Sequence, residues 1–62
     1  MKKAINEKQA SIILGVAVQT LRNWRHQRRG PAYVKLGRSV RYRILDLDEY
    51  LLNRKIDPEA SI

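Results

Sequence analysis

The chain has 62 residues, with 13 Lys or Arg against six Asp or Glu, one histidine and no cysteine. A domain this small buries only about 60% of the surface its unfolded chain exposes, which leaves room for a modest core and none for a deep catalytic cavity. Without cysteine there is no disulfide or thiolate metal site, and His26 alone makes no histidine cluster, so neither a metal nor a cofactor is expected.

The charge is segregated along the chain: +2 over residues 1–21, +8 over 22–43, where eight Lys or Arg meet no acid, and −3 over 44–62. Such a field attracts polyanions, whereas charge that serves solubility is normally interspersed in sign. No run approaches the roughly 18 apolar residues that span a bilayer, and the start "MKKAINEKQA" has no apolar segment behind its lysines. A cytoplasmic, nucleoid-associated protein without membrane or small-molecule partners is expected.

In chain order, Asn6 reads as the cap of a first helix over about 6–14. Glu7 lies in its first turn, Ala10, Ile13 and Leu14 form its apolar face, and Gly15 stops it. A second helix runs from about Ala17 to Arg28. Val18, Leu21 and Trp24 set its inner face; Gln19, Arg22, Asn23 and His26 point away, with Thr20 and Gln27 on the flank. Gly30 and Pro31 end it.

Two short alternating runs, "YVKL" and "VRYR", flank "GRS" and read as a hairpin with Val34, Leu36, Val40 and Tyr42 inward. Lys35, Arg41 and Arg43 then face solvent and Arg38 sits at the tip. Because a lone hairpin is marginal, it must lie on the helices, with Trp24 as its floor. A third helix begins between Ile44 and Asp46 and runs to about Lys55. Asp46, Asp48 and Glu49 occupy its first turn, Arg54 and Lys55 its last, and Leu47, Tyr50 and Leu51 close the core. The expected domain is residues 1–55, with 56–62 a short mobile tail.

The fold class is thus mainly α with a small β-hairpin: helix, turn, recognition helix, two-stranded wing and C-terminal helix. The ordered features "A...LGV", "TL..W", "GP..VKLG", "VRY" and "DLDEYL", over roughly residues 5–52, resemble the excisionase-like, MerR-type winged helix-turn-helix family of phage and mobile-element DNA-binding proteins. Ala17 stands where that family often has a capping serine, and Ile44 where a polar cap is common. The resemblance places Gln19, Thr20, Arg22, Asn23 and His26 on a helix face presented to the major groove, and Gly37, Arg38 and Ser39 on the wing tip. The long dimerisation helix and effector domain of MerR regulators have no counterpart here, so a stand-alone reader is expected.

What the resemblance implies is an excisionase, or recombination directionality factor, that binds duplex DNA at several adjacent sites, bends it and assists an integrase of the tyrosine or serine type. A phage transcription regulator of the AlpA type is the nearest alternative. In either case Arg25, Arg28, Arg29, Lys35, Arg41 and Arg43 are the candidates for phosphate contacts, which release counterions and give affinity largely blind to sequence. Arg22 suits a guanine's O6 and N7, and Asn23 or Gln19 an adenine's N6 and N7.

Each assignment competes with a plainer one. Trp24 lies on the stripe of Leu21 and reads as core, and His26 as a solvent or phosphate contact. Tyr33 fits a DNA contact and a surface strand edge equally well. Arg38 reads as a groove-inserting residue ahead of a mere guard against edge pairing. Lys2, Lys3 and Lys8 add diffuse attraction. An RNA-binding basic protein would need more exposed aromatics than remain once Trp24 and Tyr42 enter the core. A protein-docking role, in which Asp57 and Glu59 meet the basic hairpin of a neighbouring copy, is compatible with DNA binding. No nucleophile, base and pocket come together, so no enzymatic activity is expected.

Overall fold

The structure, a computed structural model, describes residues 4–58. Lys2, Lys3 and Glu59 lie outside the described residues, as does the end of the expected tail. The order of elements is β1 (Ala4–Asn6), α1 (Glu7–Leu14), α2 (Val18–His26), β2 (Val34–Leu36), β3 (Ser39–Arg43) and α3 (Ile44–Asn53). The three strands form one antiparallel sheet in the order β1-β3-β2. Three helices with this small sheet make a winged helix-turn-helix arrangement. Among the described residues, no helix is long and apolar enough to cross a membrane.

α1 begins where its sequence provides the donors' partners. Asn6 accepts from the Gln9 backbone N–H at 2.8 Å, and the Gln9 side chain accepts from the Asn6 N–H at 3.1 Å, a reciprocal box that satisfies two otherwise orphaned groups. Gly15 ends the helix as expected, its N–H turned back to the Ile12 and Ser11 carbonyls. α2 and α3 have no side-chain cap at Ala17 or Arg43. At α3 a local ion pair bridges the start instead: Arg43 Nε donates to Asp46 at 2.7 Å and Nη2 at 3.0 Å.

Ala10, Leu21, Tyr42 and Leu47 are fully buried, with Ile5, Leu14, Val16, Trp24 and Val40 packed against them. The core therefore takes one anchor from each helix and one from the central strand. Trp24 belongs to it as expected, but it turns to α3, its ring 5.9 Å from that of Tyr50, and to the loop at Gly30. The hairpin packs mainly on β1, α1 and α3, and α2 reaches it through Arg25, which donates to the Tyr42 hydroxyl, while Trp24 shares the core with Val40.

Several expectations are corrected by geometry. β1 is additional: it pairs Ala4 with Arg43, Ile5 with Tyr42 and Asn6 with Arg41, which makes β3 the middle strand of three. Three residues carry too little alternation to be read as a strand. The hairpin loop contains two residues rather than three. Leu36 pairs with Ser39, so Gly37 and Arg38 alone make the turn and Ser39 belongs to the strand. A one-residue change in register moves a strand's side chains to the other face. Lys35 consequently pairs with Val40, while Val34 and Leu36 share the outer face with Arg41 and Ser39 and are exposed, Leu36 by 61%.

Ile13 and Leu51, expected in the core, are also exposed, because short helices against a small sheet bury only a narrow stripe. α2 stops at His26 rather than Arg28, since Arg28 adopts a left-handed backbone with φ 58°. α3 starts at Ile44, which puts Asp46 alone in its first turn, and it ends at Asn53, which puts Arg54 and Lys55 beyond its last. Arg54 instead lies over the Tyr50 ring at 3.9 Å.

Glu7, the first residue of α1, ties the helix pair together. Its carboxylate accepts from Arg22 Nη2 at 2.7 Å and from Arg25 Nη2 at 3.0 Å, both on α2. The Arg22 hydrogen bonds, against some desolvation and with help from Arg25, hold its pKa below the ordinary 4.5. A carboxyl whose pKa is depressed by folding stabilises the fold above its unfolded value and loses that contribution as pH falls through the lower folded value. In urea titrations from pH 7 to pH 2, the native chain is therefore expected to lose stability more steeply below about pH 4.5 than Glu7→Gln does. Parallel profiles for the two chains would show that Glu7 gains nothing from its partners.

Gly30 has φ +91° and a Cβ there would lie 2.9 Å from Trp24 Cε3, whereas Gly37 has φ +62° and open space around it. Gly30→Ala combines backbone strain with overpacking and is expected to cost at least about 2 kcal/mol. Gly37→Ala meets strain alone and should cost about 1 kcal/mol. Thermal denaturation compares them, and equal losses would remove the Trp24 contact from the explanation.

Candidate nucleic-acid interface

α2 owes its two faces to residue spacing. With Leu21 fully buried and Val18 and Trp24 half-buried, Gln19, Arg22, Asn23 and His26 are left exposed together, and Thr20 lies between the faces. Gln19 Nε2 donates to Asn23 Oδ1 at 3.0 Å, one turn along the helix. This bond aligns two amide side chains on the outer face, where each keeps groups able to meet a base edge. Arg25 and His26 stand in the last turn, where the helix dipole favours positive charge.

Arg22 and Arg25 share the Glu7 carboxylate but differ in exposure. The Arg22 side chain is 53% exposed and that of Arg25 only 17%. Arg25 Nη1 also donates to the Tyr42 hydroxyl at 2.8 Å, and its guanidinium lies 5.7 Å from the Tyr33 ring centre and 6.0 Å from that of Tyr42. Burial works against the charged form of Arg25, but Tyr42 and Glu7 outweigh it and its pKa is raised. Arg22 is likewise raised, by its hydrogen bonds to Glu7.

Arg25 is thus a bracket between α1, α2 and the sheet, with its guanidinium largely buried and bonded to both Glu7 and Tyr42. The residue spacing held that signal: Arg25 lies four residues after Leu21 and seven after Val18, on the edge of the inner stripe. The link through Glu7 held none, because it joins residues 15 and 18 positions apart.

The other basic candidates surround this bracket. An open hollow of about 400 Å³ between the start of α1 and the wing is lined by Lys8, Arg25, Arg38 and Arg41, together with Asn6, Glu7, Ser39 and Val40. A second, of about 380 Å³, lies behind the C-terminal end of α2 and is lined by Arg25, Arg28, Arg29 and Tyr33, with Gly30, Pro31 and Ala32. Arg28, Arg29, Lys35 and Arg38 are all exposed. Arg41, partly buried, donates through Nη1 to the Val40 carbonyl at 2.9 Å, which holds its side chain along the strand. Arg43 is engaged with Asp46, whose pKa it lowers. Lys35 stands on the opposite face of the hairpin from Arg41, a consequence of the two-residue loop.

Tyr33 is 43% exposed, with its ring centre 6.1 Å from that of Tyr42. His26 stays on the outer face, and the wing tip narrows to Gly37 and Arg38. The sequence candidates therefore fall into three groups. Gln19, Arg22, Asn23 and His26 form one outward helix face; Arg38 and Arg41 line one hollow and Arg28 and Arg29 the other; Arg25 lines both.

No curated protein matches the chain. The family model described as a helix-turn-helix domain matches residues 6–55, which includes every described helix and both strands of the wing. The chain belongs to this helix-turn-helix family of excisionase-like and AlpA-like DNA-binding domains.

Proposed function

We propose that the chain reads a specific duplex DNA sequence with the outer face of α2, and that it acts as a recombination directionality factor. In that role it binds adjacent sites, bends the DNA between them and helps an integrase assemble an excisive complex, with no chemistry of its own. Residues 1–55 are the DNA-binding unit in this reading, and 56–62 a tail beyond it.

The observation that carries the reading is the exposed, hydrogen-bond-rich face of Gln19, Arg22, Asn23 and His26, on a chain that also has two hollows lined by arginine. Polar donors on a helix suit base edges in a major groove, and flanking cations suit the two phosphate ridges beside it. Arg38 at the narrow tip of the wing suits an adjacent groove. Bending a site of 20–30 base pairs costs on the order of 1–6 kcal/mol, which contacts from helix and wing on several copies would offset.

Footprinting on the genomic neighbourhood separates the roles. Protection of short tandem repeats beside an integrase attachment site is expected, lost with Arg22→Ala. Protection confined to a promoter would replace the recombination role with that of an AlpA-like regulator. Uniform coating indifferent to Arg22 would refute sequence reading.

The phosphate assignments have their own test in the salt dependence of affinity. Replacing Arg28, Arg29 or Arg41 by Ala is expected to weaken binding to all duplexes alike and to reduce the slope of log K against log salt by about one each. Arg25→Ala should instead lower the melting temperature, since it strips Tyr42 and Glu7 of a shared partner. An Arg25→Ala chain with native stability and a reduced slope would reassign that residue to phosphate.

A further inference from the structure

A carboxylate in the middle of a cationic DNA-facing surface opposes binding, because it repels the same phosphates that the arginines attract. The fold nevertheless brings Glu7 against Arg22, a central side chain of the outer helix face. An ion pair this exposed adds little to stability. Its geometry says more. Arg22 gives Nε at 3.2 Å and Nη2 at 2.7 Å to one carboxylate oxygen, and Nε reaches the second at 3.3 Å.

The Nε edge of the guanidinium is therefore occupied, while Nη1 takes no part in these bonds. Because the guanidinium is planar and its five N–H groups are fixed in direction, fastening the Nε edge turns the Nη1–Nη2 end away from the carboxylate. That end is a two-donor fork of the kind that pairs with the O6 and N7 acceptors of guanine. Glu7 is itself held in place from behind, by Arg25 Nη2 at 3.0 Å, and Arg25 by the hydroxyl of the fully buried Tyr42 at 2.8 Å. The chain of bonds runs without a gap from the core to the outer guanidinium.

We propose that Glu7 is a specificity-determining positioning residue. It lowers general attraction to DNA and, in exchange, holds the Arg22 fork in a fixed orientation that selects guanine at one position of the site. The proposal rests on the base-reading role assigned to Arg22 above. Glu7 acts through Arg22 and touches no base, and a Gln in its place keeps the length but accepts with a single oxygen and carries no charge.

The test uses the full chain, a duplex selected by that chain from a random pool, and a scrambled duplex of the same length and composition. The readout is the ratio of the two affinities at constant salt, for the native chain, Glu7→Gln, Arg22→Ala and the double variant. Glu7→Gln is expected to lower the ratio about tenfold while affinity for the scrambled duplex holds or rises. It should add nothing in the Arg22→Ala background. A 7-deazaguanine at the guanine read by Arg22 removes N7, and should weaken the native chain more than Glu7→Gln.

Leu47→Val loosens the core without altering the ion pair and should leave the ratio unchanged, so mere loss of stability is told apart from loss of positioning. If Arg22→Ala lowers the ratio and Glu7→Gln does not, the positioning role is overturned and base reading stands. If the native chain shows no preference, or Arg22→Ala leaves the preference intact, base reading by Arg22 fails and the role of Glu7 falls with it.

Discussion

The fold depends on burying one polar atom well. Tyr42 is fully buried in the middle strand, paired with Ile5 of β1 and with the Tyr33 ring 6.1 Å away, and its hydroxyl must find a partner or incur a desolvation penalty of about 1–3 kcal/mol. The partner is Arg25, whose charge strengthens the bond and itself requires compensation. Glu7 provides it from the first turn of α1. Each group satisfies the next, so the sheet, α2 and α1 are placed relative to one another by directed bonds as well as by apolar packing. Among the described residues, no buried side-chain nitrogen or oxygen that is not exposed lacks a partner.

A core of four fully buried side chains is small, and that explains how unevenly the sequence could be read. Ala10, Leu21 and Leu47 are marked by helical spacing and occupy the places which that spacing assigns. Asn6 and Gly15 bound α1 as their chemistry requires. Those signals are local and act within one or two turns. Ile13 and Leu51 lie outside because a 62-residue chain has more apolar side chains than interior, and Val34 and Leu36 because the two-residue loop sets the register of β2. Of the candidate site, the outer face of α2 was legible from angular position alone. Arg25 reads as a phosphate candidate from its charge although its spacing sets it at the edge of the inner stripe, and Glu7 reads only as a first-turn residue because its role arises from tertiary contact.

Electrostatically the molecule is an exercise in selective neutralisation. Positive charge concentrated over one third of a chain destabilises the compact state by self-repulsion. Acidic side chains relieve it at chosen points, among them Glu7 at Arg22 and Arg25, and Asp46 at Arg43. Both carboxyls are correspondingly held below their ordinary pKa by those arginines. Arg28, Arg29 and Arg38 remain exposed on loops and turns. The paired arginines thus have their guanidinium groups directed by a carboxylate, Arg22 and Arg43 at the surface and Arg25 largely buried.

The two-residue loop at Gly37 and Arg38 also governs how this architecture can vary. Adding one residue to the loop would exchange the faces of β2, turning Val34 and Leu36 inward and Lys35 outward, against a sheet already packed with Tyr42 and Val40. Adding one residue to each strand preserves every existing pair and moves the tip outward by about 3.3 Å. The reach of the wing is therefore a quantity that can be lengthened in matched steps while the core and α2 stay as they are. Wings of different reach can differ in the length of two strands and nowhere else.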